Sequence, residues 1–163
     1  IGSVVEGLRT FGYYNAGQDC TAACRVYAGA KVYERLVADL SAAVKTIKVG
    51  LQDDPEAEIG PLISERQRSR VAGFVERAQM TGHMEATAGG KARAGAGFFY
   101  APTVIAGARQ DDEIVRREVF GPVVSVTRFT IRREMLNLTS APPSVAICTM
   151  RPSSAAATML RSV

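Results

Sequence analysis

The sequence predicts an α/β domain in which helices are layered on a largely parallel sheet. Segments with the apolar spacing of helices alternate with short β-branched segments throughout residues 1–129. The chain has 163 residues, 47% of them hydrophobic and 22% charged, which is enough to bury a core without disulfide bonds. No internal repeat is present, so we expect one domain and not a repeat array.

The first part of the chain reads as helix, loop, strand and helix. Apolar residues between Val4 and Phe11 fall on one helical stripe. Residues 15–20 are small and polar, which is typical of a loop and not of a core. Residues 24–28 predict a short strand, and apolar residues recur at helical spacing between Val32 and Ile47.

A turn-rich connection at residues 50–62 leads to a second long helix. Ser64 followed by Gln67 is the pattern of a capping box, in which each side chain accepts from a backbone N–H of the other residue. Apolar residues between Val71 and Ala78 form the predicted buried face, and Gly82 ends the helix. The next predicted elements are a strand at 84–87, a glycine-rich turn at 89–97 and a strand at 100–105. A helix that Asp111 or Asp112 caps is then predicted through Arg117; Gly121-Pro122 stops it, and a last strand follows at 123–129.

The periodicity ends at Thr130. Residues 131–163 contain four arginines and one glutamate, a net charge of +3 out of the total of +4, among many Ser, Pro and Ala. We therefore divide the chain into a domain at 1–130 and a divergent, poorly ordered tail at 131–163. Because the basic excess lies on no patterned face, nucleic-acid binding is not predicted.

Composition also indicates in which cellular compartment the protein is expected. The longest nearly apolar stretch, residues 98–108, contains Pro102 and is too short to span a bilayer. No secretory signal opens the chain, and three cysteines, an odd number, agree with free thiols, so we expect a cytoplasmic protein without membrane contact. The first residue is Ile1 and it stands within a helical pattern, so we expect the chain to be a fragment.

Cys20 is the best candidate for a nucleophile. It stands in a glycine-containing polar loop, where free backbone N–H groups can point at the oxygen of a reacting carbonyl. A buried thiol that acts as a small hydrophobe is the interpretation preferred for Cys24 and Cys148. His83, the only histidine, is expected to be structural or solvated. No cysteines and histidines have the spacing of a metal site, so no metal is predicted.

Glu118 and Phe120 form a second candidate feature. A glutamate can accept hydrogen bonds from both hydroxyls of a ribose, and a nearby ring can support a flat heterocycle. Gly121 and Pro122 then force the chain to turn. Taken alone, a salt-bridged helix end is the simpler interpretation of this stretch.

Four motifs, in this order and spacing, resemble the catalytic domain of the NAD(P)-dependent aldehyde dehydrogenases. Together they cover about residues 3–130, and the series is more specific than any one motif. The sequence around Cys20 is most similar to the aminobutyraldehyde and betaine aldehyde dehydrogenase branch of this family. The motifs are Gly-Gln-Asp-Cys at 17–20 after Phe-Gly-Tyr-Tyr-Asn-Ala at 11–16, Gly-Pro-Leu at 60–62 before the helix of Gln67, Ala-Pro-Thr-Val at 101–104, and Glu-Val-Phe-Gly-Pro at 118–122.

The resemblance implies an oxidoreductase that converts a small-molecule aldehyde to a carboxylic acid with NAD or NADP. It implies that Cys20 is the nucleophile, which forms a thiohemiacetal and then a thioester. It also implies that Glu118 binds the nicotinamide ribose and that Phe120 packs near the nicotinamide ring. Gln67 and Arg70 match positions that often touch the cofactor. A homo-oligomer is expected of the complete enzyme.

The resemblance also implies what this chain lacks. The family's dinucleotide-binding domain, general-base glutamate and oxyanion-holding asparagine would lie upstream of Ile1, so the chain alone is expected to be inactive. The alternative function is a non-catalytic domain remnant that binds a partner or the cofactor ribose only. A thiol redox protein is disfavoured because no Cys-x-x-Cys pair is present. Asp19 is a separate hypothesis, because its carboxylate would favour a cationic aminoaldehyde but would oppose a neighbouring thiolate unless it points away.

Overall fold

The computed structural model describes residues 1–130 and the backbone of a strand at Val145–Cys148. Apart from that strand, the predicted tail at 131–163 lies outside the described residues. The helices are α1 (Gly2–Phe11), α2 (Tyr33–Val44), α3 (Glu65–Met80) and α4 (Glu113–Arg116), and the strands are β1 (Arg25–Gly29), β2 (Glu85–Ala88), β3 (Thr103–Ala108), β4 (Val123–Phe129) and β5 (Val145–Cys148).

The five strands form one sheet with the order β2-β3-β4-β1-β5. The inner strands β3, β4 and β1 are parallel, while β2 and β5 join the edges in antiparallel orientation. Parallel neighbours need crossover connections, and the intervening helices supply the cover for both faces of the sheet. The predicted α/β fold with a largely parallel sheet is confirmed.

Apolar residues fill a layer on each face of the sheet. Val104 and Val124 belong to the cluster beneath α1 and α2, whereas their chain neighbours Ile105 and Val123 belong to the cluster beneath α3 and α4. This alternation follows from the two-residue period of a strand. Helix residues of the first cluster include Val5, Leu8, Leu36 and Leu40, and those of the second include Val71, Phe74, Val75 and Ile114.

Only half of the predicted capping box forms at the start of α3. The Ser64 hydroxyl accepts a hydrogen bond from the Gln67 backbone N–H at 3.2 Å, as expected of an N-cap. The Gln67 side chain does not return to Ser64 but donates to the carbonyl oxygens of Val119 and Phe120. Tertiary contacts therefore use a side chain that the local pattern had assigned to the helix end.

The cap of α4 also differs from the prediction. Asp112 stands at the N-cap position, but its side chain makes no hydrogen bond to the helix. Its Oδ2 instead accepts from the Arg109 backbone N–H at 2.7 Å and contacts Nε2 of His83 at 2.9 Å. His83 thus has a structural role, as expected.

The segment after α1 makes a left-handed turn. Asn15, Ala16 and Gly17 have φ values of 51°, 53° and 67°, inside a 3₁₀ turn at Tyr14–Gly17. Ala16 is buried in the cluster beneath α3, so the expectation that residues 15–20 lie outside the core is wrong for this residue. The cause is the left-handed turn, which folds Ala16 back against the domain instead of leaving it at the surface.

Tyr13 anchors the same segment to the sheet. Its buried hydroxyl donates to the Thr103 carbonyl at 2.8 Å, where β3 begins. Burial raises the pKa of the Tyr13 phenol well above its ordinary value, so the group stays a proton donor across the physiological range. The turn is therefore fixed at the end where it leaves α1.

Gly17 lies directly against the backbone of Gly121. A Cβ on Gly17 would overlap the Gly121 carbonyl oxygen, and a Cβ on Gly121 would lie 2.5 Å from Cγ2 of Val71 in α3. Neither position leaves room for a side chain. Two segments about 100 residues apart in sequence are thereby brought together at one point beside α3.

We expect Gly17→Ala to destabilise the chain much more than Gly82→Ala. Both glycines have positive φ, but a Cβ at Gly82 would meet nothing within 4 Å, so Gly82→Ala isolates the backbone penalty of about 1–2 kcal/mol. Gly17→Ala adds the overlap with Gly121 and should cost more than about 3 kcal/mol, above most single substitutions. Urea unfolding followed by circular dichroism measures both, and equal losses would contradict a tight backbone contact.

Candidate active site

Cys20 occupies the outer corner of a tight turn. The Ala22 backbone N–H donates to the Asp19 carbonyl at 3.2 Å, which closes a β-turn over Cys20 and Thr21. The Cys20 side chain is exposed and forms no disulfide. Its backbone N–H has no hydrogen-bond acceptor among the described residues. A thiol and a free N–H therefore stand side by side at the surface.

The Asp19 side chain braces this turn. One carboxylate oxygen accepts from both the backbone N–H and the hydroxyl of Thr21, each at 2.8 Å. These hydrogen bonds, the backbone one first, lower the pKa of the Asp19 carboxyl below its ordinary value. Asp19 is therefore ionised at neutral pH, and its negative charge lies next to Cys20.

One cleft brings together three of the predicted site residues. Cys20, Glu118 and Phe120 all line this cleft. The remaining lining residues are Gly17, Asp19, Cys24 and Val119.

Glu118 and Phe120 have features suited to holding a nucleotide. Glu118 is half-buried and forms no ion pair with any other residue among residues 1–130. The simpler interpretation, in which Glu118 forms a salt bridge at a helix end, is therefore wrong. Phe120 has a left-handed backbone with φ of 57°, and its side chain is 40% exposed although it is aromatic. An unpaired carboxylate and an open ring face can accept a ribose diol and support a flat heterocycle.

Gln67 and Arg70 contact the cleft wall from behind. Gln67 Nε2 donates to the carbonyl oxygens of Val119 at 3.2 Å and Phe120 at 2.7 Å. Arg70 donates to the carbonyl oxygens of Val119 at 2.7 Å and Glu118 at 2.8 Å. These two predicted site residues therefore donate four hydrogen bonds to backbone carbonyls. They do not themselves line the cleft.

Gln18 joins the turn of Cys20 to the segment before α3. Its Oε1 accepts from the Ile63 backbone N–H at 2.9 Å, and its amide nitrogen donates to the Asn15 carbonyl at 3.3 Å. The sequence analysis used Gln18 only as one residue of the Gly-Gln-Asp-Cys motif and assigned it no role of its own. A polar side chain between Gly17 and the candidate nucleophile was the signal that could have indicated this role.

The structure corrects the sequence interpretation of Cys24 and shows a buried charge at its neighbour Arg25. Cys24 is not a fully buried thiol but is partly exposed in the Cys20 cleft; the side chain of Cys148 lies outside the described residues.

Arg25 is only 2% exposed, donates to the Val115 carbonyl at 2.6 Å, and has one terminal nitrogen without a partner. Its other terminal nitrogen lies 3.8 Å from the Cys24 sulfur. Sequence reasoning missed this buried charge, although an arginine inside a predicted strand was a visible signal.

Two further features were sought in the described part of the chain, a metal site and a membrane-spanning helix. No group of three or more His, Cys, Asp or Glu side chains there could hold a metal ion. None of the helices there combines the length and the apolar character needed to cross a membrane.

Comparison with known proteins identifies relatives across most of the chain. The family model "Aldehyde dehydrogenase family" matches residues 1–144, somewhat more than the motifs covered. Succinate-semialdehyde dehydrogenase [NADP(+)] 2 of Schizosaccharomyces pombe is 35% identical over 83% of this chain and 28% of its own length. Betaine aldehyde dehydrogenase of Mesorhizobium japonicum is 32% identical over 84% of this chain and 29% of its own.

A solved structure shares the fold. The NAD+ complex of aldehyde dehydrogenase from Bacillus cereus superposes with a TM-score of 0.76 at 35% identity, covering 82% of this chain and 27% of that one. The chain thus spans less than a third of the length of these relatives. Their names include both NAD+ and NADP(+), in agreement with the expected cofactor class. With a family model matched over most of its residues and a shared fold, the chain belongs to the aldehyde dehydrogenase family.

Proposed function

We propose that residues 1–130 supply the nucleophile and part of the cofactor site of an enzyme that oxidises aldehydes to carboxylic acids with NAD or NADP. The observation that carries this proposal is the cleft that the exposed Cys20 thiol shares with Glu118 and Phe120. A nucleophile must reach the substrate while the cofactor lies beside it. This cleft contains both the candidate nucleophile and the two residues proposed to bind the cofactor.

In this proposal the Cys20 sulfur attacks the aldehyde carbon and forms a thiohemiacetal. The free Cys20 N–H can donate to the oxygen that becomes negative, a contribution of about 3 kcal/mol when the geometry is good. Bound NAD(P)+ supplies the acceptor for the hydride that leaves the substrate carbon. The thioester left on Cys20 is then hydrolysed by water, which releases the acid and regenerates the thiol.

The residues present fit a nicotinamide cofactor. Glu118 would accept hydrogen bonds from the ribose hydroxyls, and Phe120 would pack near the nicotinamide ring. The family resemblance also implies that Gln67 and Arg70 stand at positions that often touch the cofactor. Because the Gln67 amide nitrogen already serves two carbonyls, its Oε1 is the atom left for such a contact.

The finer proposal for the substrate is an aminoaldehyde. The ionised Asp19 carboxylate at the cleft would attract a cationic group, and betaine aldehyde dehydrogenases are among the relatives. We also propose a reducing compartment such as the cytoplasm, since the Cys20 thiol must stay reduced to act. Homo-oligomer formation by the complete enzyme remains part of the same proposal.

Thiol alkylation tests the proposed nucleophile. We expect iodoacetamide at pH 7 to modify Cys20 at least about tenfold faster than Cys24 or Cys148 in the folded chain, because the Cys20 thiol is exposed to the reagent whereas Cys24 is only partly exposed. Peptide mass spectrometry gives the three rates, and the urea-unfolded chain is the control in which they should converge. Slow and equal labelling in the folded chain would instead favour the non-catalytic remnant.

Charge selectivity tests the proposed role of Asp19. We compare Cys20 modification by a cationic aminoethyl thiosulfonate with that by a neutral methyl thiosulfonate. Asp19→Asn keeps the oxygen that Thr21 needs but removes the charge, so the cationic-to-neutral rate ratio should fall about threefold to tenfold. Asp111→Asn, an exposed carboxylate outside the cleft, is the matched control. An unchanged ratio in Asp19→Asn would remove the aminoaldehyde preference from the proposal.

A further inference from the structure

One stripe of α3 faces the cleft wall. Gln67, Arg70, Val71 and Phe74 stand at positions i, i+3, i+4 and i+7, so they share one side of the helix. Val71 packs against Gly121, while Gln67 and Arg70 donate to the three consecutive carbonyls of residues 118–120. Three residues of the stripe thus contact residues 118–121 directly, and Phe74 lies beside Arg70.

The wall segment depends on these side chains. Residues 118–120 belong to no helix or strand, and their carbonyl oxygens accept no backbone hydrogen bond within the described ranges. Phe120 also has a left-handed backbone, which costs free energy in a residue other than glycine. A segment without its own ladder of hydrogen bonds keeps such a conformation only where its surroundings enforce it.

Arg70 is itself held in place. Its guanidinium carbon lies 5.0 Å from the centre of the buried Phe74 ring, and that of Arg117 lies 5.7 Å from the same ring. Arg117 directly precedes the wall segment. The Phe74 ring therefore fixes the Arg70 fork in the direction of the carbonyls before any ligand is present.

We propose that Gln67 and Arg70 are positioning residues that fix Glu118 and Phe120 against the Cys20 cleft through the backbone carbonyls of 118–120. This inference rests on the proposed function for the use made of Glu118 and Phe120, but the fixation itself is a property of the chain. Gln67 and Arg70 thus contribute to the site mainly by holding the residues that touch the cofactor.

Native-state trypsin cleavage after Arg117 tests the fixation. Cleavage there requires the adjacent wall segment to open locally, so its rate reports the open population. We expect Arg70→Ala and the isosteric Gln67→Glu to raise this rate about tenfold or more, while cleavage elsewhere stays within about twofold. Arg70→Lys keeps a charged donor but loses the planar fork that serves two carbonyls, so it should recover only part of the protection. Arg66 is an exposed arginine of α3 without a partner in the described ranges, so Arg66→Ala should leave the rate unchanged.

A fluorescent reporter gives an independent readout. The chain contains no tryptophan, so Phe120→Trp introduces a single emitter into the wall. Adding Arg70→Ala to this background should increase acrylamide quenching of the new tryptophan, whereas adding Arg66→Ala should not.

Two trypsin results would overturn the positioning role. One is cleavage after Arg117 in Arg70→Ala and Gln67→Glu at the same rate as in the wild-type chain, and the other is equal acceleration at every cleavage site. Failure of Cys20 to label preferentially would overturn the proposed function instead and would leave both wall measurements valid.

Discussion

The backbone contact between Gly17 and Gly121 is the constraint on which the cleft depends. It joins the turn that carries Cys20 to the segment that carries Glu118 and Phe120, and no side chain fits between them. Only glycine combines a positive φ at residue 17 with this close approach. The cleft exists because two irregular segments, each at an end of a regular element, are pinned together at this point.

The irregular segment between α4 and β4 is held by donors from other elements. Arg25 in β1 donates to the Val115 carbonyl, and the α3 side chains Gln67 and Arg70 donate to the carbonyls of 118–120. Backbone acceptors that lie outside a helix or a sheet need such partners when they are shielded from water. The carboxylates of Asp19 and Glu118 then line the cleft, while the two guanidiniums support it from behind.

Local patterns in the sequence predicted the elements but not the contacts between them. The apolar periods of α1, α2 and α3 and the β-branched run of β4 identify their faces, because burial of an amphipathic face follows from local spacing. The direction of the Gln67 side chain could not be predicted, since a capping box and a contact with a remote carbonyl satisfy the same amide. The burial of Ala16 and Arg25 depends on a left-handed turn and on the sheet register, both of which are set by tertiary structure. Family resemblance, and not periodicity, linked Cys20 to Glu118.

The central claim is that Cys20 and Glu118 line one cleft in the folded chain. Dibromobimane, which fluoresces on bridging two neighbouring thiols, tests this directly in a Cys24→Ser, Cys148→Ser background that keeps Cys20. With Glu118→Cys added we expect a fluorescent bridge between residues 20 and 118, and with the exposed Arg116→Cys added instead we expect single labelling only. Single labelling of both thiols in the Glu118→Cys chain, with no bridge, would contradict the shared cleft and the function proposed for it.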